Sequence, residues 1–193
     1  IKGLSRHDLS ELKKNKKQIS KLSSEVDNLK DKLFYFIKNL DESSLGASNF
    51  YINLLGYLQD ITQSMEYISK VSHKHLNNNH SKLTLNQIRD LLDIQKVVAE
   101  LFENISSAFA NKSFADIKSI LKDRNKTIGL LEDKIETQIS RTRTSEEKSP
   151  KNTALYFSIL QESKDLMKEV MSLIEEYYVS YDKSVKPAKP KDE

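Results

Sequence analysis

The sequence predicts an all-α protein, an antiparallel up-and-down bundle of about five long helices. Three observations lead there. Apolar residues recur at three- and four-residue steps over long stretches. Only four glycines and three prolines interrupt 193 residues, too few to punctuate many short strands. Helix-capping residues stand just ahead of several of the apolar runs.

The first helix is expected over about residues 6 to 41. Its apolar positions are Leu12, Ile19, Leu22, Val26, Leu29, Leu33, Phe36 and Leu40. From Ile19 the steps alternate three and four, a heptad seam. "DESSLGAS" (41 to 48) reads as a polar turn. The second helix, about 48 to 76, carries an apolar stripe of Leu54, Leu58, Ile61, Met65 and Ile68. Beside it runs a polar stripe of Tyr57, Asp60, Ser64 and Tyr67. Three asparagines at 77 to 79 tolerate the left-handed backbone that closes helices.

Thr84-Leu85-Asn86-Gln87 is a capping-box pattern and opens the third helix. Its apolar face is Ile88, Leu91, Leu92, Val98, Phe102, Ile105 and Phe109. Ser113 caps a fourth, whose seam is Phe114, Ile117, Leu121, Ile128, Leu131 and Ile135. "RTRTSEEKS" (141 to 149) is turn-like. Ser149-Pro150 then supplies an N-cap and a first-turn proline for the fifth helix. That helix carries Leu155, Ile159, Leu166, Val170, Leu173 and Tyr177. One bundle is expected over residues 1–183, because a helix with a single apolar stripe is not stable alone. The Lys/Pro-rich stretch 184–193 reads as a disordered tail.

The chain also aligns with itself at an offset of 102 residues. "LKDKL" (29 to 33) falls on "LEDKI" (131 to 135), "LQD" (58 to 60) on "LQE" (160 to 162), and Met65 on Met167. Heptad seams always align with one another. The polar matches Asp31/Asp133 and Gln59/Gln161 go further, and predict that helices one and two repeat as helices four and five.

Composition narrows the function. Without cysteine there is no disulfide and no thiolate metal site, which fits a reducing compartment. Glu-x-x-His, which di-iron bundles need, does not occur. Neither does a Gly-rich phosphate loop or G-x-S-x-G, so no enzymatic activity is expected. "SHKHLNNNH" (72 to 80) holds three of the four histidines. His73 and His75 project about 200° apart on a helix and cannot share a metal, so these are expected as exposed histidines at a helix end. The carboxylate pairs Asp27/Asp31 and Glu132/Glu136 are one turn apart, and a solvated face accounts for them.

The net charge is only +3, yet residues 1 to 22 hold seven Lys/Arg against two acids. A solvated helix start explains this. So does a segment lying on an anionic membrane surface. No aromatic residues interleave with the lysines, which argues against nucleic acid. No run reaches the ~18 apolar residues of a membrane span. The chain opens at Ile1, so it is expected to be a processed or excised part of a longer protein.

A long-helix bundle with a two-fold repeat and "LLGYLQDITQSMEYI" (54 to 68) in its second helix resembles the PhoU-like family. The resemblance covers about residues 8 to 182. It is most similar to the soluble PhoU-like region that follows the membrane part of some bacterial inorganic-phosphate permeases. It implies a non-enzymatic regulatory domain on the cytoplasmic face of the inner membrane, partnered by the transporter portion of the same chain or by a permease. A homodimer is also compatible with it. Family members carry an acidic Glu/Asp-x-x-x-Asp motif that in some cases binds metal. Here Asp60-x-x-x-Ser64 keeps the first acid, and Gln161-x-x-x-Asp165 keeps the last, with Glu162 beside it. The resemblance therefore places any divalent metal at Asp60, Glu162 and Asp165. A helical coiled-coil adaptor unrelated to phosphate transport is the other reading of the same heptads.

Overall fold

The computed structural model describes residues 1–144 and 149–180. The tail expected at 184–193, and residues 145–148 of the predicted turn, lie outside them. The described residues form seven α-helices and a 3-10 helix, and no β-strand. The α-helices are α1 (Lys2–Ser5), α2 (Leu9–Lys38), α3 (Ser48–Asn77), α4 (Leu85–Ala110), α5 (Phe114–Lys122), α6 (Arg124–Arg143) and α7 (Pro150–Ser180).

The helix expected over about 6 to 41 forms as α2, and a short helix that was not expected, α1, precedes it. After α1 the chain turns through His7, at φ 56°, and Asp8 restarts it by accepting the Glu11 amide at 2.9 Å. The segment 41 to 48 is not an open turn: Glu42–Ala47 winds as a 3-10 helix. The expected fourth helix breaks at Asp123, whose near-zero ψ takes the chain out of α geometry between α5 and α6. The caps at Thr84, Ser113 and Ser149 all form. Thr84 Oγ1 accepts the Gln87 amide while Gln87 Oε1 accepts the Thr84 amide. Ser113 and Ser149 accept the amides of Asp116 and Asn152.

Three helix ends close alike, with a left-handed residue followed by an amide that reaches back five residues. His7, Asn79 and Lys112 have φ of 56°, 54° and 53°. The amides of Asp8, His80 and Ser113 then bond to the carbonyls of Gly3, His75 and Ala108. This is the Schellman closure, made here without glycine.

Chain order does not give the neighbours. The close pairs are α2–α3, α3–α7 and α6–α7, whereas α3 and α4 do not pack closely although they are consecutive. α7 is the centre. Tyr156, Ile159, Leu160, Met167 and Met171 are fully buried on it, so two of its faces are apolar where one stripe was expected. α4 is rotated from its expected face: Leu91, Ile94, Leu101, Ile105 and Ala108 are buried, while Leu92 and Phe102 are exposed. α2 is the least buried of the long helices. Of its seam only Leu12 and Val26 are buried, with Leu40 just past its end, and Leu22 and Leu29 are exposed.

Candidate functional site

α3 lies between α2 and α7 and so must pack on two sides. That fixes the meaning of its polar stripe. Ser64 is buried, along with Thr62, Ser69 and Ser72. The Asp60–Ser64 side faces α7, since the charge of Asp60 acts on Glu169 there. Small hydroxyl residues let two long helices approach closely. Thr62 satisfies its own hydroxyl by donating to the Leu58 and Gln59 carbonyls. Tyr67 points to solvent. Of the stripe, Ser64 is thus buried in packing and Tyr57 half-buried, while Asp60 and Tyr67 are exposed.

The three predicted metal-site acids are placed as follows. Asp60 is exposed, and Glu162 and Asp165 are half-buried. Asp165 Oδ2 accepts from Gln161 Nε2 at 3.3 Å. The charges of Asp60 and Asp165 act on a residue the sequence did not single out, Glu169. Partial burial raises its pKa, and the charges of Asp60 and Asp165 raise it further. Glu162 stands seven residues before Glu169, about 10 Å along α7. Among the described residues no group of three or more His, Asp or Glu is arranged to hold a metal ion.

The strongest polar constellation lies elsewhere. Asp90 on α4 is 5% exposed. Its Oδ1 receives the Lys134 ammonium from α6. Its Oδ2 accepts from Arg141 Nη1 at 2.8 Å and from the Tyr156 hydroxyl of α7 at 3.0 Å. One carboxylate thus ties three helices together. Burial alone would raise its pKa. The hydrogen bonds from Lys134, Arg141 and Tyr156 outweigh that and hold the carboxyl below the ordinary carboxylate range. A carboxylate engaged in this way is a poor general base, so the arrangement acts as a clasp between helices. The sequence offered one signal for it: Asp90 sits directly beside Leu91 on the apolar side of α4.

A second cluster closes one end of the bundle. His75 is buried, not exposed as expected, and its Nε2–H donates to the Ser81 carbonyl at 3.0 Å. The His80 ring lies 5.0 Å from it, centre to centre. Asn152, also buried, donates to the Lys82 carbonyl at 2.7 Å and accepts from the Ser81 hydroxyl at 3.3 Å. The end of α3, the loop after it and the start of α7 are fastened together by these bonds. Burial lowers the pKa of His75; the Ser81 bond opposes this, and the neighbouring charges of His80 and His7 lower it further.

No helix among the described residues is long and apolar enough to cross a membrane. Comparison with family models, with curated proteins and with solved structures finds no match to this chain.

Proposed function

We propose that this chain is a PhoU-like, non-enzymatic regulatory bundle acting on a phosphate transporter from the cytoplasmic side of the membrane. The observation that carries the reading is the arrangement of its hairpins. α2–α3 and α6–α7 are each antiparallel hairpins, and their second helices pack against each other. That is the arrangement expected of the 102-residue repeat, in which α2 corresponds to α5 together with α6, and α3 to α7. The bundle would bias its transporter between states by binding one of them better than the other. Disrupting the gene in its own cells, then restoring it, should change and recover the rate of labelled phosphate uptake. Uptake that stays the same in both steps overturns the reading.

Divalent metal belongs to the same proposal and rests on Asp60, Glu162 and Asp165. The like charges of Asp60 and Asp165 acting on Glu169 support it, because a cation would relieve that repulsion. Elemental analysis of the purified chain tests it. No bound metal, together with an unchanged melting temperature in Mg²⁺, Mn²⁺ or Zn²⁺, removes this part.

An adaptor unrelated to phosphate draws on a separate observation, the exposed seam residues Leu22 and Leu29 of α2. An elongated, oligomeric particle in small-angle scattering would favour it over a compact regulatory bundle.

A further inference from the structure

The α2–α3 hairpin carries an open apolar trough. Its α2 wall includes residues at seven-residue steps, Asn15, Leu22, Leu29 and Phe36, with Ile19 and Leu33 between them. The α3 wall includes a second row at these steps: Tyr51, Leu58, Met65 and Ser72. The two rows run antiparallel and line two clefts, of about 420 Å³ toward the N-terminal half of α2 and about 290 Å³ toward its C-terminal half. A row of every seventh residue is what a helix offers along one side of a supercoiled seam. Two such rows side by side form the holes that a third helix fills with its own knobs. Leu22 and Leu29 are 39% and 46% exposed, so nothing within the described chain covers them.

The rim of the trough carries positive charge. Lys14, Lys17 and Lys21 share a surface cleft with Gln18, and Gln18 also lines the larger cleft of the trough. Lys32 lines the smaller one. Ser69 also lines the larger cleft, and its buried hydroxyl has no hydrogen-bond partner. A concave trough of this kind suits a convex rod and not a flat bilayer.

We infer that the α2–α3 trough is a docking site for an amphipathic helix of a partner protein, one with acidic residues flanking its apolar stripe. Three heptads, about 21 residues or 32 Å, match the length of the rows. Leucines of the incoming helix enter between the two rows, and its Glu or Asp residues meet the lysines of α2. A polar side chain at the level of Ser69 completes that hydroxyl. The inference does not depend on the transporter reading.

The test uses the purified chain and three labelled 21-residue peptides, read by fluorescence anisotropy. One has Leu at alternating three- and four-residue steps with Glu on the flanks. The second has Lys on the flanks. The third has the composition of the first with its leucines scattered. The Glu-flanked peptide binds, and binds at least about tenfold more tightly than either of the others. Its affinity weakens as salt rises from 50 to 300 mM. Leu22→Glu with Leu29→Glu weakens it at least about tenfold, at unchanged urea midpoint because both side chains are already half in water. Lys14→Glu, Lys17→Glu and Lys21→Glu together, all on the surface, reverse the preference toward the Lys-flanked peptide.

Equal binding of the Glu- and Lys-flanked peptides overturns the inference, as does binding indifferent to the Leu22 and Leu29 substitutions. A dimer in light scattering that Leu29→Glu makes monomeric also overturns it, since a second copy would then be the occupant. Binding to phosphatidylglycerol vesicles that the same substitution abolishes, with no peptide bound, assigns the trough to a membrane and overturns it too.

Discussion

Replacing Asp90 with Asn tests whether one buried carboxylate holds α4 onto α6 and α7. The substitution keeps the size of the side chain and removes its charge. It removes the short ion pairs to Lys134 and Arg141, whose side chains are only 22% and 19% exposed, and leaves Lys134 the longer contact to Asp93 at 3.8 Å. It also turns an amide NH₂ toward one of these donors. Breaking a buried ion pair by removing one partner costs about 3–5 kcal/mol. Both cations here retain a path to water, so the expected loss is about 2–4 kcal/mol. Tyr156→Phe is the control. It deletes one donor of three, leaves Asp90 with both cations, and should cost about 1 kcal/mol. Urea unfolding measures both, as a lower midpoint at unchanged slope. The pH dependence adds an independent arm. The carboxyl is held below its ordinary range, so its stabilisation is complete above the unfolded value, near 3.9, and is lost as pH falls toward the lower folded value. Asp90→Asn should therefore flatten the acid limb of the stability curve. A loss below about 1 kcal/mol, or one no greater than that of Tyr156→Phe, refutes the clasp.

His75 gives a second pH dependence at milder acidity. Its folded pKa is lowered, so the unfolded chain binds the proton first and stability declines as pH drops below about 6.5; in His75→Gln, melting temperatures between pH 7 and 5 should show a shallower decline. Ser64→Leu pushes a large side chain into the α3–α7 contact and should cost about 1–3 kcal/mol by overpacking; a neutral result would mean that Ser64 is not packed between these helices. Lys112→Gly relieves a left-handed backbone at an exposed helix end and should stabilise by up to about 1 kcal/mol, read as a small rise in melting temperature.

Much of the local structure was legible from residues whose effect is local. Thr84, Ser113 and Ser149 each satisfy an amide three residues ahead, and such a bond needs no tertiary partner. The break at Asp123 was missed because no glycine or proline marks it: it is made by backbone geometry at an ordinary polar residue. The seams were read as one stripe per helix. That fails for α7, which is central and buried on two faces, and for α2, which is peripheral and leaves part of its stripe uncovered.

The candidate sites divide in the same way. Asp60 and Asp165 were chosen by motif, and Glu169, on which their charges act, was overlooked. Asp90, Lys134, Arg141 and Tyr156 come from three helices, up to 66 residues apart in the chain, and no spacing rule links them. His75 looked like an exposed residue at a helix end until the loop after α3 folded back and offered it the Ser81 carbonyl.

By itself the sequence determined that this chain is helical, where most of its helices start, and that each needs a partner for its apolar side. Periodicity and capping are properties of a few consecutive residues, so they can be read without the fold. Only the tertiary structure decided which helices meet, which polar residues are buried between them, and which apolar row is left open on α2 and α3. Those outcomes depend on how two-faced helices share a limited number of neighbours, and that choice is made by the whole bundle at once.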